Sequence, residues 1–167
     1  MDFTEVVKGR YSVRGYENKP VEAEKLQAIL EAARIAPTAS NRQAFKILVI
    51  DTAANREKLQ KIYSREWLIE APLAICVCSI PDETWVRGDG KNYSDVDAAI
   101  VMDHIVLAAT AQGLGTCWIA AFDAKAAREL LQLEDRWEPV VFTPLGYPRA
   151  NNPNRPKKSL EQLVIYK

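Results

Sequence analysis

The chain has 167 residues, enough for a single domain over 1–167 with its own core. Its 22 basic and 22 acidic side chains cancel, so no overall field draws in nucleic acid or an acidic membrane surface. Three cysteines and one histidine suit neither a disulfide framework nor a zinc centre, so reduced, buried thiols in a cytoplasmic protein are expected.

The first residues lack a basic stretch followed by an apolar one, and no apolar run approaches about 18 residues, so neither a secretory signal nor a membrane span is expected. Residues 2–8 form a short helix stopped at Gly9. A second helix covers 22–35, with Leu26, Ile29, Leu30 and Ala33 on one face, and ends before Pro37. Residues 45–50 are a strand rich in branched side chains. Asp51 or Thr52 then caps a helix to Tyr63, and 73–80 is a second, buried strand.

A polar loop over 81–93 leads to Ser94-Asp95-Val96-Asp97, which has the form of a capping box with Asp in place of the commoner Glu. It opens the longest helix, 95–112, apolar nearly all round and so expected to run through the middle of the structure. Gly113 and Gly115 end it. A brief strand at 117–119, a helix capped by Asp123, a strand at 139–145, a Pro/Asn-rich joint at 148–156 and a last strand at 163–166 complete the chain. The pattern is α+β or α/β with about five strands. A terminal strand beyond a long joint has to pair with a sheet edge in its own subunit or in a partner.

Familiar catalytic signatures are missing. Gly113-Leu114-Gly115 is half of a dinucleotide fingerprint and ends a helix where the fingerprint begins one. His104 sits inside the apolar helix and reads as a satisfied core or helix-face histidine. Asp95 and Asp97 are explained by helix capping. Three segments remain. Arg10-Tyr11-Ser12-Val13-Arg14 is either an anion clamp or a solvated basic turn. Residues 36–43, Ala-Pro-Thr-Ala-Ser-Asn-Arg-Gln, either let backbone approach a flat polar ring or simply join helix to strand. Residues 115–123 carry a strand into small residues before a helix cap, either leaving free N–H groups at the strand end or making a tight turn over core aromatics.

In this order the three segments resemble the FMN-dependent nitroreductase family: Arg10-Tyr11-Ser12-Val13-Arg14 is similar to its opening Arg-x-Ser-x-Arg/Lys, and 36–43 to its A-P-S-x-x-N-x-Q loop. Asp97-Ala98-Ala99-Ile100 through Gly113-Leu114-Gly115-Thr116 resembles its central helix, and Arg155-Pro156-Lys157-Lys158-Ser159-Leu160 its basic C-terminal motif. The resemblance implies a three-layer α-β-α fold with a central mixed, mostly antiparallel sheet of about five strands and a C-terminal strand exchanged in a homodimer. It implies that Arg10, Ser12, Arg14, Arg155 and Lys157 hold the phosphate and ribityl end of FMN. Pro37, Thr38, Ala39 and Asn41 of the other subunit would line the flavin ring. Trp118, Ile119, Ala120 and Ala121 would pass its other edge, with the Ala120 N–H near N5.

The implied activity is hydride transfer from NAD(P)H to nitroaromatics, quinones or other small electron-poor acceptors, with ping-pong kinetics and no catalytic side chain. The same residues would serve a flavin carrier or sensor without nicotinamide turnover, or a reductase or dehalogenase for one specialised metabolite. Residues 81–93, with Trp85 and Arg87, are either a substrate-side wall or a plain surface loop. The chain departs from the family at Ala44-Phe45, where Pro-Trp is frequent, and at Ala120 or Ala121, where glycine is. Arg65 stands where Gln is common, and Ser159 replaces a common Pro.

Overall fold

The run Leu73–Ser79 has no charged residue, and it forms a strand, β2, buried on both faces. Its side chains alternate between two cores, as a pleated strand requires. Ile75 and Val77 face one, while Ala74, Cys76 and Cys78 face the other. The computed structural model describes residues 2–149 and 156–167. Around β2 it places α1 (Phe3–Gly9), α2 (Ala23–Arg34), β1 (Phe45–Asp51), α3 (Arg56–Ile62) and α4 (Trp67–Glu70). After β2 come α5 (Ser94–Ala111), β3 (Gly115–Thr116), α6 (Ala124–Leu130) and β4 (Glu138–Gly146).

The sheet order is β1-β2-β4-β3 and every ladder is antiparallel. Helices α2 and α5 cover the Ile75/Val77 face; α3, α4 and α6 cover the other, around Phe142 and Leu59. Between Val77↔Val141 and Cys78↔Pro139 the register shifts, leaving Val140 as a bulge residue. No described helix is long and apolar enough to cross a membrane.

Several expectations are corrected. The described strands number four, and the parallel element is a single bridge, Ser12↔Thr116. Residues 163–166 form no strand. A 3-10 turn at Leu160–Gln162 precedes them, and they lie exposed, Ile165 at 82% and Tyr166 at 94%. Within one protomer this segment pairs with no sheet edge, although the outer edge of β1 carries no described partner, and strand exchange between protomers is not shown. The strand expected at 117–119 is two residues earlier, because Gly115 and Thr116 pair with Gly146 and Leu145; Ile119 keeps one bridge to Phe142. Helix α3 begins at Arg56, since Asp51 closes a turn onto the Ala54 N–H (2.8 Å) and the Thr52 hydroxyl donates to the Ala71 carbonyl. The capping box at Ser94–Asp97 does not form: Tyr93 holds the cap position and Asp97 turns to another donor. Helix α5 is one-sided, with Val96 and Ile100 on its less buried face.

Candidate functional site

Asp2 and Glu5 cap α1 reciprocally, each side chain accepting the other's N–H, at 2.9 and 2.8 Å. The helix stops when Arg10 turns extended, its N–H still reaching the Val6 carbonyl at 3.0 Å. From here the chain runs beside β3: Ser12 bridges Thr116, and the Val13 N–H donates to the Thr116 carbonyl at 2.9 Å. Val13 is buried, packed so closely on Gly115 that a Cβ there would lie 2.6 Å from Val13 Cγ2. In an extended segment alternate residues share a face. With Val13 turned inward, that alternation is expected to set Arg10, Ser12 and Arg14 on the opposite side; it breaks by Tyr16, which is buried with Val13.

Among the described residues Arg10, Arg14, Arg42 and Arg65 have no carboxylate partner, whereas Arg34, Arg56, Arg87, Arg128, Arg136 and Arg149 do; of the four, only Arg10 and Arg14 share one short segment. The Arg14 guanidinium lies 5.8 Å from the Trp67 ring centroid, and Trp67 meets Tyr63 edge-on at 5.3 Å. Next to this segment, the buried Tyr16 hydroxyl donates to the Val13 carbonyl at 3.0 Å, and burial raises its ionisation far above the ordinary tyrosine range.

Residues 15–17 are zipped to 147–149 by Glu17 N–H to Tyr147 carbonyl (2.9 Å) and Arg149 N–H to Gly15 carbonyl (3.0 Å). Glu70 joins both strands of this zipper, accepting the Tyr16 N–H at 3.2 Å and pairing with Arg149. Because the pair is half-exposed, Glu70→Ala should cost only about 1 kcal/mol, a melting shift of about 2–4 °C. Faster amide exchange should be confined to Tyr16 and its neighbours, as hydrogen-exchange mass spectrometry would report.

The strand end beside residues 10–14 is held by Cys117 N–H to Thr143 Oγ1 (3.0 Å) and by the reciprocal Ile119–Phe142 pair. Trp118, Ala120 and Ala121 are exposed, and the N–H groups of Ala120 and Ala121 donate to no described residue. Asp123 then caps α6 through the Ala126 N–H at 2.9 Å.

The 36–43 loop is strained. Ser40, Asn41 and Gln43 take left-handed backbone, φ 52°, 53° and 54°. The Gln43 N–H donates to Thr38 Oγ1 (3.0 Å), the Asn41 N–H to the Thr38 carbonyl (2.9 Å), and the Ala39 N–H to Asp97 Oδ1 (2.9 Å). Pro37 and Asn41 are exposed, Thr38 and Ala39 half-buried.

The Nitroreductase family model matches residues 7–72 and 63–147. A nitroreductase family protein from Clostridium difficile 630 is 39% identical with a TM-score of 0.90, covering 100% of this chain and 99% of that one. The chain belongs to the nitroreductase family. A Methanothermobacter thermautotrophicus protein named "Putative NADH dehydrogenase/NAD(P)H nitroreductase" is 30% identical over 156 residues, 90% of this chain and 80% of that protein. The FMN-dependent nitroreductase of Clostridium difficile R20291 is 27% identical, with a TM-score of 0.82 and 98% coverage of each chain.

Of the segments by which the nitroreductase family is recognised, the fold joins two: the Arg10–Arg14 segment and the Thr116–Ala121 strand end meet at the Ser12–Thr116 bridge. The 36–43 loop is not brought to them. It is fastened in the first turn of α5, while β3 follows the last, and 18 helical residues span about 27 Å. Lys157 is exposed and makes no ion pair among the described residues; Arg155 lies outside them. Sequence reasoning missed Glu70, which has no motif and acts only through contacts to Tyr16 and Arg149, far apart in the chain. It also assigned Asp97 to capping, although the Asp in the place of Glu was a signal that this carboxylate had another task.

Proposed function

We propose that this nitroreductase family member is an FMN-dependent oxidoreductase, passing hydride from NAD(P)H to nitroaromatic, quinone or similar electron-poor acceptors in a ping-pong cycle. The observation that carries the reading is the pair of arginines, Arg10 and Arg14, left without carboxylates on one side of an extended segment whose backbone is locked to the strand end. Such a set suits a dianionic phosphate, which charge-assisted bonds from planar guanidinium forks and the Ser12 hydroxyl would hold. Lys157 is the further cation this reading assigns to the phosphate, together with Arg155, which lies outside the described residues. Trp118, Ile119, Ala120 and Ala121 run along the ring, and the free Ala120 N–H is the donor at its N5 edge. Bound FMN supplies the two-electron chemistry; the chain supplies orientation, charge and exclusion of water.

In this reading the working unit is a homodimer, and Pro37, Thr38, Ala39 and Asn41 of the partner subunit cover the ring. The separation of that loop from the clamp along α5 supports it, since one protomer cannot close both sides. Uncovered apolar surface supports it too: Phe3 (73% exposed) and Val7 on α1, Val96 on α5, and Leu163, Val164 and Ile165 at the C-terminus. The outer face of α5, with Val96, Ala99, Ile100 and His104, borders an open groove of about 480 Å³.

The test is an absorbance spectrum of the purified protein, with sedimentation to count subunits. FMN-loaded dimer whose flavin band bleaches rapidly on anaerobic NADPH or NADH, and returns on adding a quinone, is expected. A bound flavin that neither nicotinamide bleaches would return the carrier or sensor reading. A protein that FMN neither colours nor stabilises against heat would remove both, because a ligand of the native state must raise its melting temperature.

A further inference from the structure

Asp97 is 1% exposed, yet among the described residues only one of its carboxylate oxygens has a partner: Oδ1 accepts the Ala39 N–H, and Oδ2 is buried without one. A carboxylate taken out of water and half-satisfied is poorly placed for stability alone. What it holds is the loop that carries most of the left-handed non-glycine backbone among the described residues. Of four non-glycine residues with left-handed backbone among the described residues, Ser40, Asn41 and Gln43 lie in this loop, and Gln132 is elsewhere. L-residues resist that conformation, and they keep it where surrounding structure over-determines it. The Thr38 contacts fold the loop on itself. The Ala39–Asp97 bond fastens it to the helical layer. Two independent observations, a buried orphan oxygen and a run of left-handed backbone, therefore meet at one carboxylate.

We propose that Asp97 is a positioning residue whose carboxylate holds residues 38–43 in the shape that receives a flat heteroaromatic ring; this rests on the flavin reading above. The carboxylate acts on the ring through the loop and not on the phosphate, which the clamp at the far end of α5 takes. Its charge strengthens the bond to Ala39, because a backbone N–H binds an ionised acceptor more strongly than a neutral one.

The experiment compares the parent dimer with Asp97→Asn, measuring affinity for FMN and for lumiflavin, which has the ring without ribityl phosphate. Both should weaken by the same factor, about three- to tenfold, with the melting temperature unchanged or raised. Adding Ser40→Gly, which adopts positive φ freely, should recover most of the loss. Unchanged lumiflavin affinity, a loss confined to FMN, or no recovery with Ser40→Gly would overturn the proposal. If the Asn variant does not fold, Asp97→Glu keeps the charge and displaces the acceptor; it should show the same ring-selective loss, and its absence is equally fatal. A parent that binds no flavin removes the proposed function first. Exchange of the Ala39 amide then decides for Asp97: slow in the parent and faster in the variant supports the hold on the loop, and equal rates refute it.

Discussion

Gly115→Ala is expected to lower the melting temperature by about 3–10 °C and to loosen cofactor binding with it. The added Cβ would lie 2.6 Å from Val13 Cγ2 and 3.0 Å from both Val13 Cβ and Cγ1. Rotating Val13 gives no relief, because all its branches crowd the same point and a β-branched side chain has little rotamer freedom. Gly115 is not among the residues with positive φ, so the effect is contact alone. Overpacking of this kind costs about 1–3 kcal/mol, which gives the expected shift for a chain of this size. The consequence reaches the clamp, because the Val13 N–H to Thr116 carbonyl bond is what registers Arg10, Ser12 and Arg14 against the strand end. Val13→Ala in the same chain should restore both melting temperature and binding. Calorimetry on the two single variants and the double completes the cycle, and additive losses would mean that the contact is not the cause.

Arg10→Ala is expected to weaken FMN binding by about 10- to 100-fold, the range for losing one hydrogen bond to a charged group. The parent fold should persist, since the Arg10 cap uses its backbone N–H and its guanidinium has no described partner to lose. Fluorescence titration measures it, and riboflavin supplies the control: without a phosphate it should bind parent and variant alike. Lys157→Ala should cost FMN a few-fold, as a point charge on an exposed segment does. If both variants retain FMN as the parent does, the clamp has been assigned to the wrong ligand.

Much of this was legible in the residues. Branched runs marked β1, β2 and β4, and Asp123 announced α6 with the cap it makes. The order of the clamp, the 36–43 loop and the 115–123 segment carried the family. The order could not say that Arg10, Ser12 and Arg14 share a face, because that follows from extended backbone set by the Ser12–Thr116 bridge. Nor could it reveal Glu70, whose role exists only once residues 16 and 149 are adjacent. The expected strand at 163–166 read apolar content as pairing; a strand also has to lie along an edge, and within one protomer these residues pair with none, the outer side of β1 included.

The two faces of β2 are unequal in volume, and that asymmetry guards the sheet against misalignment. Ala74, Cys76 and Cys78 are small and leave room for Phe142 stacked edge-on with Phe122 at 4.8 Å, while Ile75 and Val77 fill the space beneath α5. Sliding β2 by one position would turn every side chain over. Branched aliphatics would then collide with the aromatic pair, and alanine and thiols would leave voids under the long helix. Both errors are penalised at once, so a single alignment survives, and it is the one that sets Leu73 opposite Leu145 and Cys76 opposite Phe142.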